Sequence, residues 1–251
     1  MQQVLIVGYG KMGRAVEASC REQGYQVVGH VNSLEALERV LAEHRGPMVA
    51  VEFTQPSAAV DNLLACINAG VPVVCGTTGW YDQLPSVAEC LAQHPEGALV
   101  YAPNFSLGVY YTRKMVQVLA TMNRLLPQTT RVAITEAHHA EKKDAPSGTA
   151  IMLAQEFLKP KGLYPRWSLT PTNDPDALPI TAIRQGQEPG RHTVVLATPD
   201  ESITLTHQAA QRHAFVTGVM MAIPYIASHQ GLHTMDDLMR WAEHDVTNHQ
   251  T

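Results

Sequence analysis

Hydrophobic and polar positions run in two alternating rhythms through the first hundred residues. Val4-Leu5-Ile6-Val7 is an unbroken apolar run that ends in glycine, the pattern of a strand buried on both faces of a parallel sheet. Apolar positions then take helical spacing over residues 12–23, until Gly24 stops them. Residues 25–31, 48–51, 71–75 and 99–101 read as further strands. Helices are predicted between them over 34–44, 57–69 and 81–92, the second capped by Ser57 and ended by Gly70. This alternation predicts an α/β fold that begins with a doubly wound parallel sheet of the Rossmann type.

The rhythm changes after Pro103. A long helix is predicted over 106–126, a strand over 131–137, a polar loop over 138–147 and a helix over 148–157. The proline-rich stretch 160–179 is expected to be irregular. Three strand-like runs follow at 180–184, 192–197 and 202–207, separated by the glycines of 186–190 and by Pro199-Asp200. They predict a second, α+β domain on a mixed or antiparallel sheet. Helices over 215–228 and 235–244 end the chain.

Composition narrows the function classes. Of 251 residues, 45% are hydrophobic and 16% charged, which is ordinary for a globular protein. A net charge of −5 gives no electrostatic reason to expect a nucleic acid or an anionic membrane as partner. Cys20, Cys66, Cys75 and Cys90 form no C-x-x-C pair and read as reduced, small apolar residues. The apolar stretch 215–227 is too short to span a bilayer and contains Pro224. With no basic leader or cleavage site at the start, a cytoplasmic protein is expected.

Gly8-Tyr9-Gly10-Lys11-Met12-Gly13 fits G-x-G-x-x-G between a predicted strand and a predicted helix, the context that distinguishes a dinucleotide site from a bare glycine turn. Gly8 permits the tight turn, Gly10 lets the backbone approach a pyrophosphate, and Gly13 allows close helix–strand packing. The helix N-terminus offers N–H groups and partial positive charge to the phosphates. Cofactor choice usually shows at the end of the second strand, as an acidic residue for NAD or an arginine for NADP. Here Asn32 and Ser33 stand there, so NADH and NADPH both remain open. Two later strand-end loops, Gly76-Thr77-Thr78-Gly79 and Ala102-Pro103-Asn104-Phe105-Ser106, are placed to touch the nicotinamide half.

The densest chemistry lies in residues 136–149. His138 and His139 are proton donors or acceptors near neutral pH, and Lys142 adds a cation and a second acid. Ser147, Gly148 and Thr149 open a helix whose N–H groups suit a carboxylate. Together these describe a pocket for a small dianion. A solvated histidine pair is the bland reading. A metal site through His138, His139 and Glu136 or Glu141 is disfavoured, because adjacent ligands diverge and no H-E-x-x-H is present.

At these residues the chain resembles the dihydrodipicolinate reductase family along nearly its whole length. The glycine loop, Phe53-Thr54, residues 76–79 and residues 102–106 match the family's cofactor segments, and 136–149 matches its signature. The resemblance implies reduction of the cyclic dicarboxylate 4-hydroxy-tetrahydrodipicolinate to tetrahydrodipicolinate by NADH or NADPH, in lysine and diaminopimelate biosynthesis. It implies His138 as proton donor/acceptor, Lys142 as proton donor, and His139, Gly148 and Thr149 as substrate ligands, with Ser147 beside them. It also implies a dinucleotide-binding domain of residues 1–105 plus 213–251, a substrate-binding and oligomerisation domain of 106–212, and a homotetramer built through the second sheet. Glu52 stands where the family often has Asp, and the glycine loop is one residue shorter than in many members. Domains flanking a cleft suggest closure on binding. Two competitors remain: another two-domain dehydrogenase, and a non-catalytic dinucleotide sensor that would need the glycine loop but not His138 or Lys142.

Overall fold

The computed structural model describes residues 2–122, 125, 129–158, 164–171, 174 and 176–248. Its elements run β1 (Gln3–Val7), α1 (Lys11–Glu22), β2 (Gln26–Val31), α2 (Leu34–Glu43), β3 (Met48–Glu52), α3 (Pro56–Asn68), β4 (Val73–Cys75), α4 (Leu84–Gln93) and β5 (Ala98–Tyr101). They continue with α5 (Leu107–Met122), β6 (Arg131–His138), α6 (Gly148–Leu158), β7 (Arg166–Leu169), β8 (Ala177–Arg184), β9 (Arg191–Ala197), β10 (Ser202–Gln208), α7 (Val216–Ile226), β11 (Gly231–Thr234) and α8 (Met235–Asn248). The chain divides into one unit of Met1–Phe105 with Phe215–Thr251 and another of Ser106–Ala214.

The first unit is a six-stranded, all-parallel sheet in the order β11-β5-β4-β3-β1-β2. Its inner strands are buried along their length, as their continuous apolar runs require. Leu5, Val7, Ala50 and Val73 pack with Leu37, Leu63 and Val87 of α2, α3 and α4. Ile6, which alternates with them, meets α1 at Gly13. Each buried Val, Leu or Ile side chain here contributes roughly 2 kcal/mol. Because β1 lies between β2 and β3, strand order reverses beside β1, which creates the crevice where ligands of open α/β sheets bind.

The second unit is a five-stranded mixed sheet, β10-β9-β6-β8-β7, in which β6, β7 and β8 run parallel and β9 is antiparallel to β6 and β10. Val132, Ile134, Ile180, Val194 and Leu196 form its core with Val116 of α5 and with Leu153 and Phe157 of α6.

Three sequence expectations need correction. Ser57 does not cap α3: the helix starts at Pro56 with Gln55 in the cap position and no side-chain cap bond, because Pro is pre-set for the first helical turn. Residues 160–179 are not irregular throughout: β7 forms within them and β8 begins at Ala177, while 160–163, 172, 173 and 175 lie outside the described residues. Pro179 is tolerated in β8 because pairing with β6 starts one residue later, at Ile180. The strand β11 was not expected at all. Of the predicted 106–126 helix, α5 accounts for Leu107–Met122, and 123, 124 and 126 fall outside the described residues.

Candidate active site

Five strand ends carry the residues expected to hold the cofactor. The Gly8-Tyr9-Gly10 turn follows β1, and Lys11, Met12 and Gly13 form the first turn of α1. Gly8 has φ +95°, and a Cβ there would lie 2.2 Å from the Phe53 carbonyl oxygen; a Cβ on Gly13 would lie 2.2 Å from the Gly8 carbonyl oxygen. Both positions therefore exclude any side chain. Gly10 differs: nothing lies within 4 Å of where its Cβ would stand. It also caps α1, with no side-chain cap bond and no acidic residue in the first turn. An open cradle before a positively polarised helix end fits a pyrophosphate.

The neighbouring loops brace this turn. Tyr9 donates its N–H to Asn32 Oδ1 at 2.8 Å, and its ring stacks on His30 at 3.9 Å with the Arg14 guanidinium 4.9 Å from its centroid. Ser33 is occupied as the cap of α2, accepting from the Ala36 N–H. Beyond β3, the buried Glu52 accepts from the Thr54 N–H at 3.1 Å, the Thr54 hydroxyl and the Cys75 thiol. Burial, and then the Glu52 carboxylate, push that thiol well above its ordinary pKa, so it stays a donor. Thr54 N–H also reaches Thr77 Oγ1 at 2.8 Å, Trp80 holds the Thr77 carbonyl, and Gly76 leaves room for the Phe53 ring. Thr78 follows in the same loop. Ala102 and Phe105 are buried, with Pro103 and Asn104 between them after β5.

In the second unit, β6 ends in the predicted loop. Glu136 and His138 continue the inward row of Val132 and Ile134, so two polar residues occupy core positions. Glu136 Oε2 is 2.5 Å from His138 Nδ1, and Oε1 accepts from the Ser147 N–H at 3.0 Å. Arg184, beside His138 in the β6–β8 register, grips both carboxylate oxygens at 2.8 and 2.7 Å and donates to the Asp144 carbonyl at 2.6 Å. Burial pushes the Glu136 carboxyl up, but the His138, Arg184 and Ser147 hydrogen bonds prevail and hold it at about 2. Lys142 Nζ is paired with Asp144 at 2.7 and 2.8 Å.

Backbone bonds from His139 and Ala140 to Glu188 and Gly186 pin the loop to the β8–β9 turn, and His139 Nδ1 is buried with no hydrogen-bond partner among the described residues. Ser147 caps α6 through the Ala150 N–H at 3.2 Å and meets His192 Nε2 at 2.9 Å. Gly148 has open space beside it, and Thr149 follows in the first turn of α6. Glu136, Asp144, Arg184 and His192 were not among the expected site residues; Arg184 and His192 arrive only through strand pairing. Among the described residues no three His, Cys, Asp or Glu side chains are grouped to hold a metal.

His192 makes this loop acid-sensitive. Burial above all, then the adjacent His138, push its imidazole down from 6.5 to about 3. The unfolded chain therefore takes up a proton that the folded chain refuses, and stability present above pH 6.5 drains away as pH falls from 6.5 toward 3. Glu136 adds a loss in the same direction between 4.5 and about 2. The urea midpoint of the second unit is expected to fall between pH 6.5 and 4.5, and to fall less steeply in His192→Gln. Equal slopes would show that His192 is not the sensor.

A Rossmann-type unit followed by an α+β unit on a mixed sheet is the architecture of the two-domain α/β dehydrogenases. The fold is shared with a dipicolinate-bound dihydrodipicolinate reductase from Paenisporosarcina sp. TG-14 (TM-score 0.72, 22% identity, 93% of this chain and 97% of that one). It is also shared with an amine dehydrogenase from Mycobacterium smegmatis (TM-score 0.61, 12% identity, 94% and 95%), so the fold alone does not select the reaction. Sequence does: the family models for the N-terminus and C-terminus of dihydrodipicolinate reductase match residues 2–105 and 108–239, and the chain belongs to that family. The 4-hydroxy-tetrahydrodipicolinate reductase of Christiangramia forsetii is 35% identical over 236 residues, covering 94% of this chain and 97% of that protein. The enzyme of the same name from Methanocaldococcus jannaschii is 35% identical over 215 residues, 83% of this chain and 77% of that protein.

Proposed function

We propose that the chain reduces 4-hydroxy-tetrahydrodipicolinate to tetrahydrodipicolinate in the cytoplasm, as a step of lysine and diaminopimelate biosynthesis. The carrying observation is the 136–149 segment, where a buried carboxylate holds His138 beside the N-terminus of α6 and the Lys142–Asp144 pair lies on the same loop. A nicotinamide cofactor supplies the hydride when bound. Overall, one hydride and one proton enter the substrate and one water leaves.

The chain's own residues bind, orient and move protons. Gly8, Tyr9, Gly10, Lys11, Met12 and Gly13 would receive the pyrophosphate, Asn32 would serve the ribose, and the Phe53-Thr54, 76–78 and 102–105 loops would hold the nicotinamide half. His138, with Nδ1 committed to Glu136, exchanges a proton at Nε2; a Cβ on Gly190 would come within 3.0 Å of that atom, so glycine there keeps it accessible. Lys142 gives up a proton from an ammonium that Asp144 holds in place. Ser147, Gly148 and Thr149 offer the α6 N-terminus to a substrate carboxylate, with His139 alongside. Cations on this loop stabilise the negative charge that hydride delivery builds.

The test is absorbance-followed oxidation of NADH and NADPH, with substrate made in situ from pyruvate and aspartate semialdehyde by the preceding synthase. Rapid oxidation is expected, and the ratio of the two rates gives the cofactor preference that Asn32 and Ser33 leave open. No oxidation of either, by protein that binds dinucleotide, would sink the reading.

The second sheet also supports a homotetramer. Its face away from α5 and α6 carries Thr135, Thr181, Thr193, Val195, Thr204 and Thr206, half-buried or exposed and linked in places by cross-strand hydroxyl bonds. Such a flat face of small and β-branched residues suits a second copy packed sheet on sheet. Light scattering is expected to give a tetramer for the native chain and a smaller species for Val195→Lys. A native monomer would end this reading.

A further inference from the structure

We infer that Glu136, clamped by Arg184, is a positioning residue that fixes the ring and tautomer of His138 and anchors the turn leading into α6. The inference rests on the reading of His138 as the proton-exchanging group. It starts from an oddity of β6: the inward row Val132, Ile134, Glu136 passes from aliphatic core to a carboxylate with 0% exposure. A buried charge is expensive unless it is paired and fully hydrogen-bonded, so packing alone gives no reason for glutamate there.

Its bonding is complete. A carboxylate offers about four acceptor sites. Oε1 takes Arg184 and the Ser147 N–H, and Oε2 takes Arg184 and His138 Nδ1. All four partners donate, so Nδ1 carries a hydrogen. That leaves Nε2 as the nitrogen that gains and loses the working proton. The bidentate Arg184 grip keeps the carboxylate ionised and in one rotamer, and Glu136, held at about 2, does not compete for that proton. Arg184 also donates to the Asp144 and Ile183 carbonyls, and the Ser147 N–H bond ties down the α6 cap. One buried ion pair thus sets the proton donor and the carboxylate cradle in register. The logic is that of a carboxylate orienting a catalytic histidine, with an added arginine lock.

The test uses the full chain without substrate, then in turnover. Nitrogen-15 NMR of the histidine rings is expected to show His138 protonated at Nδ1 in its neutral form. Glu136→Gln keeps the shape but places a donor amide against either Arg184 or His138. It is expected to shift His138 toward the Nε2-protonated form and to lower kcat by about 10²–10³-fold. Glu136→Asp, which keeps the charge at shorter reach, should restore part of both. A native His138 whose neutral ring carries its hydrogen at Nε2 and not at Nδ1 would overturn the inference whether or not any variant folds. So would Glu136→Gln with an unchanged tautomer, at any kcat. A native chain without reductase activity would instead sink the proposed function, and the tautomer would still be read separately.

Discussion

Lys142→Ala is expected to lower kcat by about 10²-fold or more while leaving NADH and NADPH affinity unchanged, because a positioned proton donor contributes 10²–10⁴-fold. Lys142 sits in the loop of the second unit, and the glycine turn belongs to the first. Its side chain pairs with Asp144, whose own side chain is 61% exposed, so the ion pair itself contributes little to stability. Burial pushes the Asp144 carboxyl up, but the Lys142 ammonium outweighs it and holds Asp144 below its ordinary value, so Asp144 is ionised at neutral pH. Melting temperature should therefore stay close to native, and the lost rate should not reflect unfolding. Lys142→Arg is expected to recover little, since a guanidinium neither releases its proton nor matches the ammonium's compact geometry. Steady-state kinetics with dinucleotide titration decides the matter. Unchanged turnover would remove Lys142 from the chemistry and favour a dinucleotide sensor.

The second large effect separates a dinucleotide site from a glycine turn. Gly8→Ala should destabilise the first unit by roughly 3 kcal/mol or more, combining a positive φ with overpacking. The clash is with backbone, the Phe53 carbonyl 2.2 Å away, and Phe53 is itself tied to β1 through Val7. Gly10→Ala should melt like the native chain, because nothing lies within 4 Å of the new methyl group. Yet it should bind NADH and NADPH at least about 10-fold more weakly, about 1.4 kcal/mol, by filling the cradle before α1. Thermal melts paired with dinucleotide titrations read both. Full affinity in Gly10→Ala would place the pyrophosphate elsewhere.

What was legible in the sequence was legible for local reasons. A strand buried on both faces must be apolar throughout, so β1, β3 and β4 announced themselves and their alternation with helices implied a parallel sheet. The glycine turn could be read because its motif is contiguous and part of its sterics is local: a side chain on Gly13 would strike the Gly8 carbonyl, whereas the Phe53 carbonyl that closes Gly8 comes from the end of β3. The 136–149 loop showed itself through density of chemistry. Short edge strands did not. In Gly231-Leu232-His233-Thr234 the pairing with β5 makes the strand, and four residues hold no periodic signal. Ser57 looked like a cap because its residue type favours one, but Pro56 took the first helical position and moved the cap to Gln55.

The largest share left to tertiary structure is what each polar group in the site touches. Arg184 stands 48 residues from Glu136 and His192 45 from Ser147, and only the pairing of β6 with β8 and β9 brings them in. The sequence by itself determined the fold class, the glycine turn and the loop that carries the chemistry, because these depend on neighbours along the chain. Tertiary structure decided that Glu136 is a clamped anion instead of a loose carboxylate, that His138 is oriented through Nδ1, and that His192 is held neutral. Those properties come from burial and from donors that distant strands deliver, and no local pattern encodes them.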